Sequence, residues 1–246
     1  MAPIKSSLVR TVGKLFGVQK DTDLSLRGDV QGNRFTIIPF EASGGNLANG
    51  LEPGNGYKYH TFGTNGDFVV SGNSGIVDIL IVAGGGAGGN NRGGGGGAGG
   101  IVHHSQLSLD VGTYPVVVGD GAAQPGTGAQ RGADGTDSSF ASSPSPVYLL
   151  AKGGGGGGCN NAPFEPGNPG GSGGGANYNG NPGPASQGSQ NTPYSGATGF
   201  NQYGNNGGDG SGGAKYNNGG GGGAGGVGGD GTQPATGAGV GGDGQP

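Results

Sequence analysis

GGGGGG (Gly153–Gly158) and GGGGGAGGVGGDGT (Gly219–Thr232) are the stretches on which the fold turns. A glycine run has no side chain to bury, and it loses more backbone entropy on ordering than any other sequence. It therefore stays disordered or takes up an arrangement that needs the missing Cβ. Collagen is excluded, because no strict G-X-Y register survives pure glycine runs. A flexible linker is disfavoured by the aromatic residues Tyr178, Tyr194, Phe200, Tyr203 and Tyr216 between the runs. The ordered alternative is a bundle of polyglycine-II helices of about three residues per turn, with outward N–H and C=O groups bonded to neighbouring helices. Glycine runs are then rods, and the Asn-, Pro- and Tyr-bearing pieces are turns.

Composition agrees with that choice. The 246 residues include 70 Gly, 15 Pro and no Trp, and only 29 % are hydrophobic. Ordinary globular domains are roughly 45–50 % apolar, so one large side-chain core is excluded. Formal net charge is −4. Phosphate binding needs a basic surface, so nucleic acid is not an expected partner, and Arg92-Gly93-Gly94 is a lone copy of an RGG repeat. Cys159 is the only cysteine, which leaves no intrachain disulfide and fits assembly in a reducing cytoplasm. No base accompanies it in sequence, so it reads as a bystander thiol.

Upstream of Gly153 the texture changes. The aromatic and β-branched residues concentrate between Tyr57 and Lys152, where a small sheet is expected. YKYHTF (Tyr57–Phe62), a turn at Asn65-Gly66 and FVVSG (Phe68–Gly72) predict a hairpin. IVDILIV (Ile76–Val82) reads as a buried strand, and IVHHSQLSL (Ile101–Leu109) alternates apolar with polar residues. Thr113–Gly119, Ser138–Phe140 and Val147–Lys152 complete the sheet. Residues 34–56 read as a short strand and linker.

Residues 1–33 have ordinary protein composition. Leu8, Val9, Val12, Leu15 and Phe16 share one face of a short helix, with Ser6 or Ser7 as N-cap and Gly17 as C-cap. A helix this short needs something to dock on, which makes the segment an anchor to another chain or a cover for the sheet. Arg10 and Lys14 interrupt its apolar positions, so neither a signal peptide nor a membrane-inserted helix is expected. The organisation is thus 1–33 anchoring segment, 34–56 strand and linker, 57–152 β-rich domain with glycine loops, and 153–246 polyglycine-helix bundle. The fold class is mainly β with a polyglycine-II helix bundle: a short N-terminal helix, a small β-sheet region, then a glycine-helix sandwich.

Three motifs invite other readings. Gly84–Gly89 satisfies G-x-G-x-x-G after a strand, but the following NNRGGGGG cannot start the helix that a dinucleotide site needs. GADGTDSSF (Gly132–Phe140) approaches a calcium nonapeptide, yet Ser139 stands at its apolar position and one copy does not stack. His103 and His104 are adjacent on a strand and point to opposite faces. No cofactor, metal or catalytic constellation follows from these spacings, and enzymatic activity is not expected.

VDILIVAGGGAGG (Val77–Gly89), GGGGGAGGIVHH (Gly93–His104), GTYPVVVGDGAA (Gly112–Ala123), GADGTDSSF, LLAKGGGGGG (Leu149–Gly158), GGSGGGA (Gly170–Ala176) and GGGGGAGGVGGDGT occur in this order. In that order they resemble the glycine-rich domain of bacteriophage tail-fibre and adhesin proteins, over about Tyr57–Pro246. The segment Lys5–Gln31 resembles the opening of virion fibre-like proteins of marine phages. The resemblance implies a non-enzymatic structural protein of the virion, assembled in the host cytoplasm and attached through its N-terminus to other virion proteins. It implies a host cell-surface receptor as partner, met by loops at Asn160–Pro169, Asn177–Asn206 and Lys215–Asn218. Tyr178, Tyr194, Phe200, Tyr203 and Tyr216 are then the receptor-loop residues, and Leu8, Val9, Val12, Leu15 and Phe16 the virion anchor. Fibres of this kind are often homotrimers, although no heptad run specifies a coiled coil here. Many related chains continue into a further domain beyond a GGDGQ-like element, which keeps a capsid or tail decoration or connector role open. A disordered matrix protein and an ice- or surface-binding polyglycine protein are the remaining alternatives.

Overall fold

The structure, a computed structural model, describes residues 38–143, 145, 147–160, 166–178, 200–212, 217–232 and 237–246. The described elements all belong to the compact unit Pro39–Pro246. The expected anchor helix, with Leu8, Val9, Val12, Leu15 and Phe16, lies outside the described residues, as do Tyr194 and Tyr216.

Among the described residues, eight strands form two antiparallel sheets. One has the order β1 (Phe40–Ser43), β2 (Gly66–Gly72), β5 (Gly112–Val117), β6 (Ser138–Phe140), β7 (Leu149–Ala151). The other has the order β3 (Gly75–Val82), β4 (Ile101–Leu109), β8 (Phe200–Tyr203). Alternation along the strands decides which side chains meet between the sheets. Val70 from β2, Ile81 from β3, Val102, Leu107 and Leu109 from β4, and Phe140 and Leu149 from β6 and β7 form one buried cluster. Phe140 stacks on Tyr114 with ring centroids 5.4 Å apart. A β-bulge interrupts the β3–β4 register between Val77 and Ile79, where Gln106 takes a φ of 57°. The Asp78 carboxylate accepts the Gln106 N–H at 2.7 Å and so holds the bulge.

The hairpin expected between Tyr57–Phe62 and Phe68–Gly72 is replaced by a different pairing. Both edges of β2 are occupied, by β1 and by β5. Asn65 does not turn a hairpin; its side-chain oxygen accepts the Val118 N–H at 2.8 Å. His60 and Phe62 are left to cover the sheet, with the His60 ring edge-on to Phe68 at 5.3 Å.

The expected fold class is corrected by the structure. Among the described residues there is no helix, and the regular elements are the strands of two antiparallel sheets rather than a β entry followed by a separate polyglycine-II helix bundle. The physical reason is continuity. Runs 83–89, 93–100, 152–158 and 204–210 directly prolong β3, β4, β7 and β8; the first three keep the neighbours of their strands, whereas 204–210 parts from the run beside β4 and bonds to Gly173, Ala176, Gly220, Gly228 and Gly231. Ala83 N–H, for example, donates to Gly100 O at 3.0 Å, one step beyond the last β3–β4 pair. Farther out the bonding spreads sideways. Along 93–100, the N–H groups of Gly94, Gly97 and Gly100 go to Gly158, Gly155 and Lys152, whereas those of Gly95 and Ala98 go to Gly219 and Gly222. The interior of this glycine array is therefore made of backbone, and runs from both sides of residue 152 interleave in it.

Aspartates complete the bonding. Gly132 and Gly135 donate to the carbonyls of Gly157 and Gly154. The Asp134 and Asp137 carboxylates, also three residues apart, accept the N–H groups of Gly156 at 2.7 Å and Gly153 at 2.8 Å. Asp137 further accepts a bond from Lys152 Nζ at 3.0 Å, and Asp134 one from Asn168 Nδ2 at 2.8 Å. These are the two acids of the GADGTD element, and they serve the backbone of the next run. Among the described residues no three His, Cys, Asp or Glu side chains converge as a metal-ligand group.

Candidate functional site

Runs that leave the sandwich at residues 83, 152 and 204 end at a common rim. Asn90, Asn91 and Arg92 join the first pair of runs, and the last two take φ of 50° and 61°, a left-handed turn that asparagine tolerates better than most residues. Asn90 N–H donates to Gln130 O at 2.9 Å, and Asn90 Nδ2 donates to Pro125 O at 3.1 Å and to Gly126 O. Asn91 Nδ2 reaches Asn160 O at 3.4 Å. Asn177 Nδ2 donates to Cys159 O. Gly210 lies so close to Asn177 that a Cβ on it would stand 1.7 Å from the Asn177 carbonyl oxygen. Ser211 N–H donates to Asn217 O at 3.0 Å, and Asn217 Nδ2 donates to Thr232 O. One continuous chain of contacts thus ties the ends of the glycine runs from Pro125 to Thr232.

An asparagine amide stands at each junction because it offers donors and an acceptor on a short stem, and so closes turns whose backbone groups point away from the array. Asn177 is fully buried and Asn217 nearly so. Asn91 and Arg92 are exposed. Near the same rim the Asp209 N–H donates to Asp230 Oδ1 at 2.7 Å. Partial desolvation, and secondarily the neighbouring Asp230 charge, raises the Asp209 carboxyl above its ordinary value. What this surface offers a ligand is a set of amide and backbone hydrogen-bonding groups with the exposed Arg92 guanidinium beside them. Cys159 is fully buried at its base.

The aromatic residues predicted as receptor contacts fall in different places. Tyr178 is half-buried and directly follows Asn177, so it stands at the rim. Phe200 and Tyr203 lie on β8, paired with His104 and Ile101. Phe200 packs towards the core, its ring edge-on to His104 at 6.2 Å. The structure brings Asn160, Asn177 and Asn217 of the three predicted loops to the rim, and it adds Asn90, Asn91 and Arg92, which the sequence reading passed over. Their signal was present in NNRG, GANYN and YNNGG, where asparagine marks the end of a glycine run.

A β-sandwich whose strands run on into a backbone-bonded glycine array, capped by turns, defines a glycine-rich β protein. Residues 61–245 match the model of the glycine-rich domain family, and the chain belongs to that family. β1 and the connection to residue 60 precede the matched region. No curated protein and no solved structure matches the chain.

Proposed function

We propose that the chain is a non-catalytic structural protein of a bacteriophage particle, a tail-fibre or adhesin component anchored through residues 1–33 and presenting the rim to a host cell-surface receptor. The supporting observation is polarity. Phe40, where the chain enters the sandwich, packs against Gly75, a Cβ on which would stand 2.3 Å from the Phe40 ring. Gly75 begins β3, and the run that prolongs β3 ends at Asn90 on the rim. Entry and turns therefore occupy opposite poles of the unit, which is the layout of a part held at one end and presented at the other. Turns that present asparagines, with Tyr178 beside Asn177, suit recognition, because such residues supply adaptable hydrogen bonds and aromatic contact. The resemblance to phage fibre and adhesin sequences supplies the biological setting.

Cryo-electron microscopy of particles carrying the full chain tests this. The expected result is density on a tail appendage with the sandwich proximal and the rim distal. Density on the shell replaces the proposal with a decoration role, and the chain's absence from particles overturns it.

A further inference from the structure

Asn49, Asn55, Asn65, Asn179, Asn206 and Asn218 each precede a glycine. In such a pair the backbone nitrogen can approach the side-chain carbonyl carbon closely, because glycine puts no Cβ in the way. Asn179 lies outside the described residues, and the structure separates the other five. Asn65 Oδ1 is taken by the Val118 N–H at 2.8 Å, and Gly66 opens β2 opposite Val116. Gly219 N–H donates to Ala176 O at 2.9 Å, so the nitrogen after Asn218 is held in the array. Asn206 O accepts the Gly228 N–H at 2.8 Å, and Gly207 is buried. Gly50 N–H, after Asn49, donates to Leu47 O at 2.9 Å.

Asn55 differs on each count. Leu51 and Tyr59 exchange backbone bonds of 2.8 and 2.9 Å, and Glu52 pairs with Lys58 at 2.8 Å, so Asn55-Gly56 forms the tip of a closed loop. Both tip residues are exposed, and a Cβ on Gly56 would meet nothing within 4 Å. Among the described residues no group accepts the Gly56 N–H. Tyr57 N–H donates to Asn55 Oδ1 at 3.1 Å. That bond folds the carboxamide back over the Gly56 peptide, and it sets a donor where negative charge develops when the carbonyl is attacked. We propose that Asn55 is a site of spontaneous deamidation, with water as the co-reactant. The Gly56 nitrogen gives its proton to solvent and bonds to Asn55 Cγ; the Cγ–Nδ2 bond breaks, and that nitrogen takes a proton from solvent and leaves as ammonia. Water then opens the succinimide at either carbonyl, to aspartate or isoaspartate. Either product puts a carboxylate at the loop tip and removes the donor that Asn55 Nδ2 gives the Tyr59 hydroxyl at 3.0 Å. The proposal is independent of the phage setting.

Peptide mapping by mass spectrometry tests it, on the full chain aged in mildly alkaline heavy-oxygen water and digested in ordinary water. The expected result is labelled aspartate and isoaspartate at Asn55 ahead of the other four described sites. Asn65, Asn206 and Asn218 react at least about tenfold more slowly, because each must first open locally. In concentrated urea the five rates converge, since the structural protection is gone. A chain that stays unlabelled at Asn55, or that labels Asn65, Asn206 or Asn218 as fast, overturns the proposal. An order that persists unchanged in urea also overturns it, because the selectivity then belongs to neighbours in sequence and not to the loop.

Discussion

In the sandwich, Leu149 is held by the side chains around it; in the array, Gly156 is held by neighbouring backbone and one carboxylate. Leu149 is 1 % exposed among Val102, Leu109 and Phe140, and its contribution is the apolar surface it removes from water. Gly156 contributes its absence of a side chain. Its N–H donates to Asp134, its C=O accepts the Asn168 N–H at 2.7 Å, and a Cβ would fall 1.8 Å from the Gly132 oxygen. The two regions are continuous along β3, β4 and β7, yet they follow opposite substitution rules. One fails when atoms are removed and the other when a single atom is added.

Removing atoms from the sandwich gives the largest expected loss. Leu149→Ala is expected to cost about 2–5 kcal/mol, read from the denaturant midpoint, because the cavity left between two sheets collapses only partly. Adding one atom to the array comes next. Gly156→Ala is expected to cost about 1–3 kcal/mol, since the nearest atoms are backbone and shift only with their runs. Gly241→Ala is the contrasting case. It has no atom within 4 Å of the added Cβ, and it is expected to stabilise by about 0.4–1 kcal/mol through the unfolded chain. Equal behaviour of the two glycine variants would break the comparison and show that the array is not packed on its backbone.

The aspartates sharpen the same contrast, because they are side chains working for the backbone. Asp137→Ala removes the acceptor for the Gly153 N–H and is expected to cost about 1–2 kcal/mol by thermal melting. Asp137→Asn keeps an oxygen at that position and loses only the half-exposed ion pair with Lys152. Such pairs are worth about 0–1 kcal/mol, so Asn should recover most of the loss. If Asn proves as damaging as Ala, the ion pair with Lys152 outweighs the amide bond.

How much of this was legible follows the same division. β4, β6 and much of β3, β5 and β7 were readable, because alternating or continuous apolar runs report burial directly. The hairpin at Asn65-Gly66 was misread, since a local turn signal says nothing about distant strands that already occupy both edges of β2. The array was misjudged as a separate helix bundle for a related reason. Glycine carries no periodicity, so nothing in 83–89 or 93–100 announces that these runs extend strands and bond to 152–158. Of the aromatic residues expected in the loops, Tyr178 stands at the rim while Phe200 and Tyr203 lie on β8. The asparagines that tie the turns together were visible as letters, and their role depends on neighbours that only the fold supplies.

The smallest expected effect concerns Asp209, where the rim meets the array. Its carboxyl is raised above the ordinary value of 3.8, first by desolvation and then by Asp230. A raised folded-state value means that the folded chain binds this proton more tightly than the unfolded chain does. The group's stabilising contribution is therefore present below the unfolded value and is lost as pH rises through the folded one. Asp209→Asn removes that dependence. The variant is expected to match or slightly exceed the parent in melting temperature near neutral pH, by less than about 0.5 kcal/mol for so exposed a residue. The advantage should shrink as the pH is lowered through the carboxylate range and with added salt, which screens the repulsion from Asp230. A parent that outlasts the variant at neutral pH would mean that the Asp209 carboxylate makes a favourable contact at the rim, and the rim would then depend on a charge as well as on its asparagines.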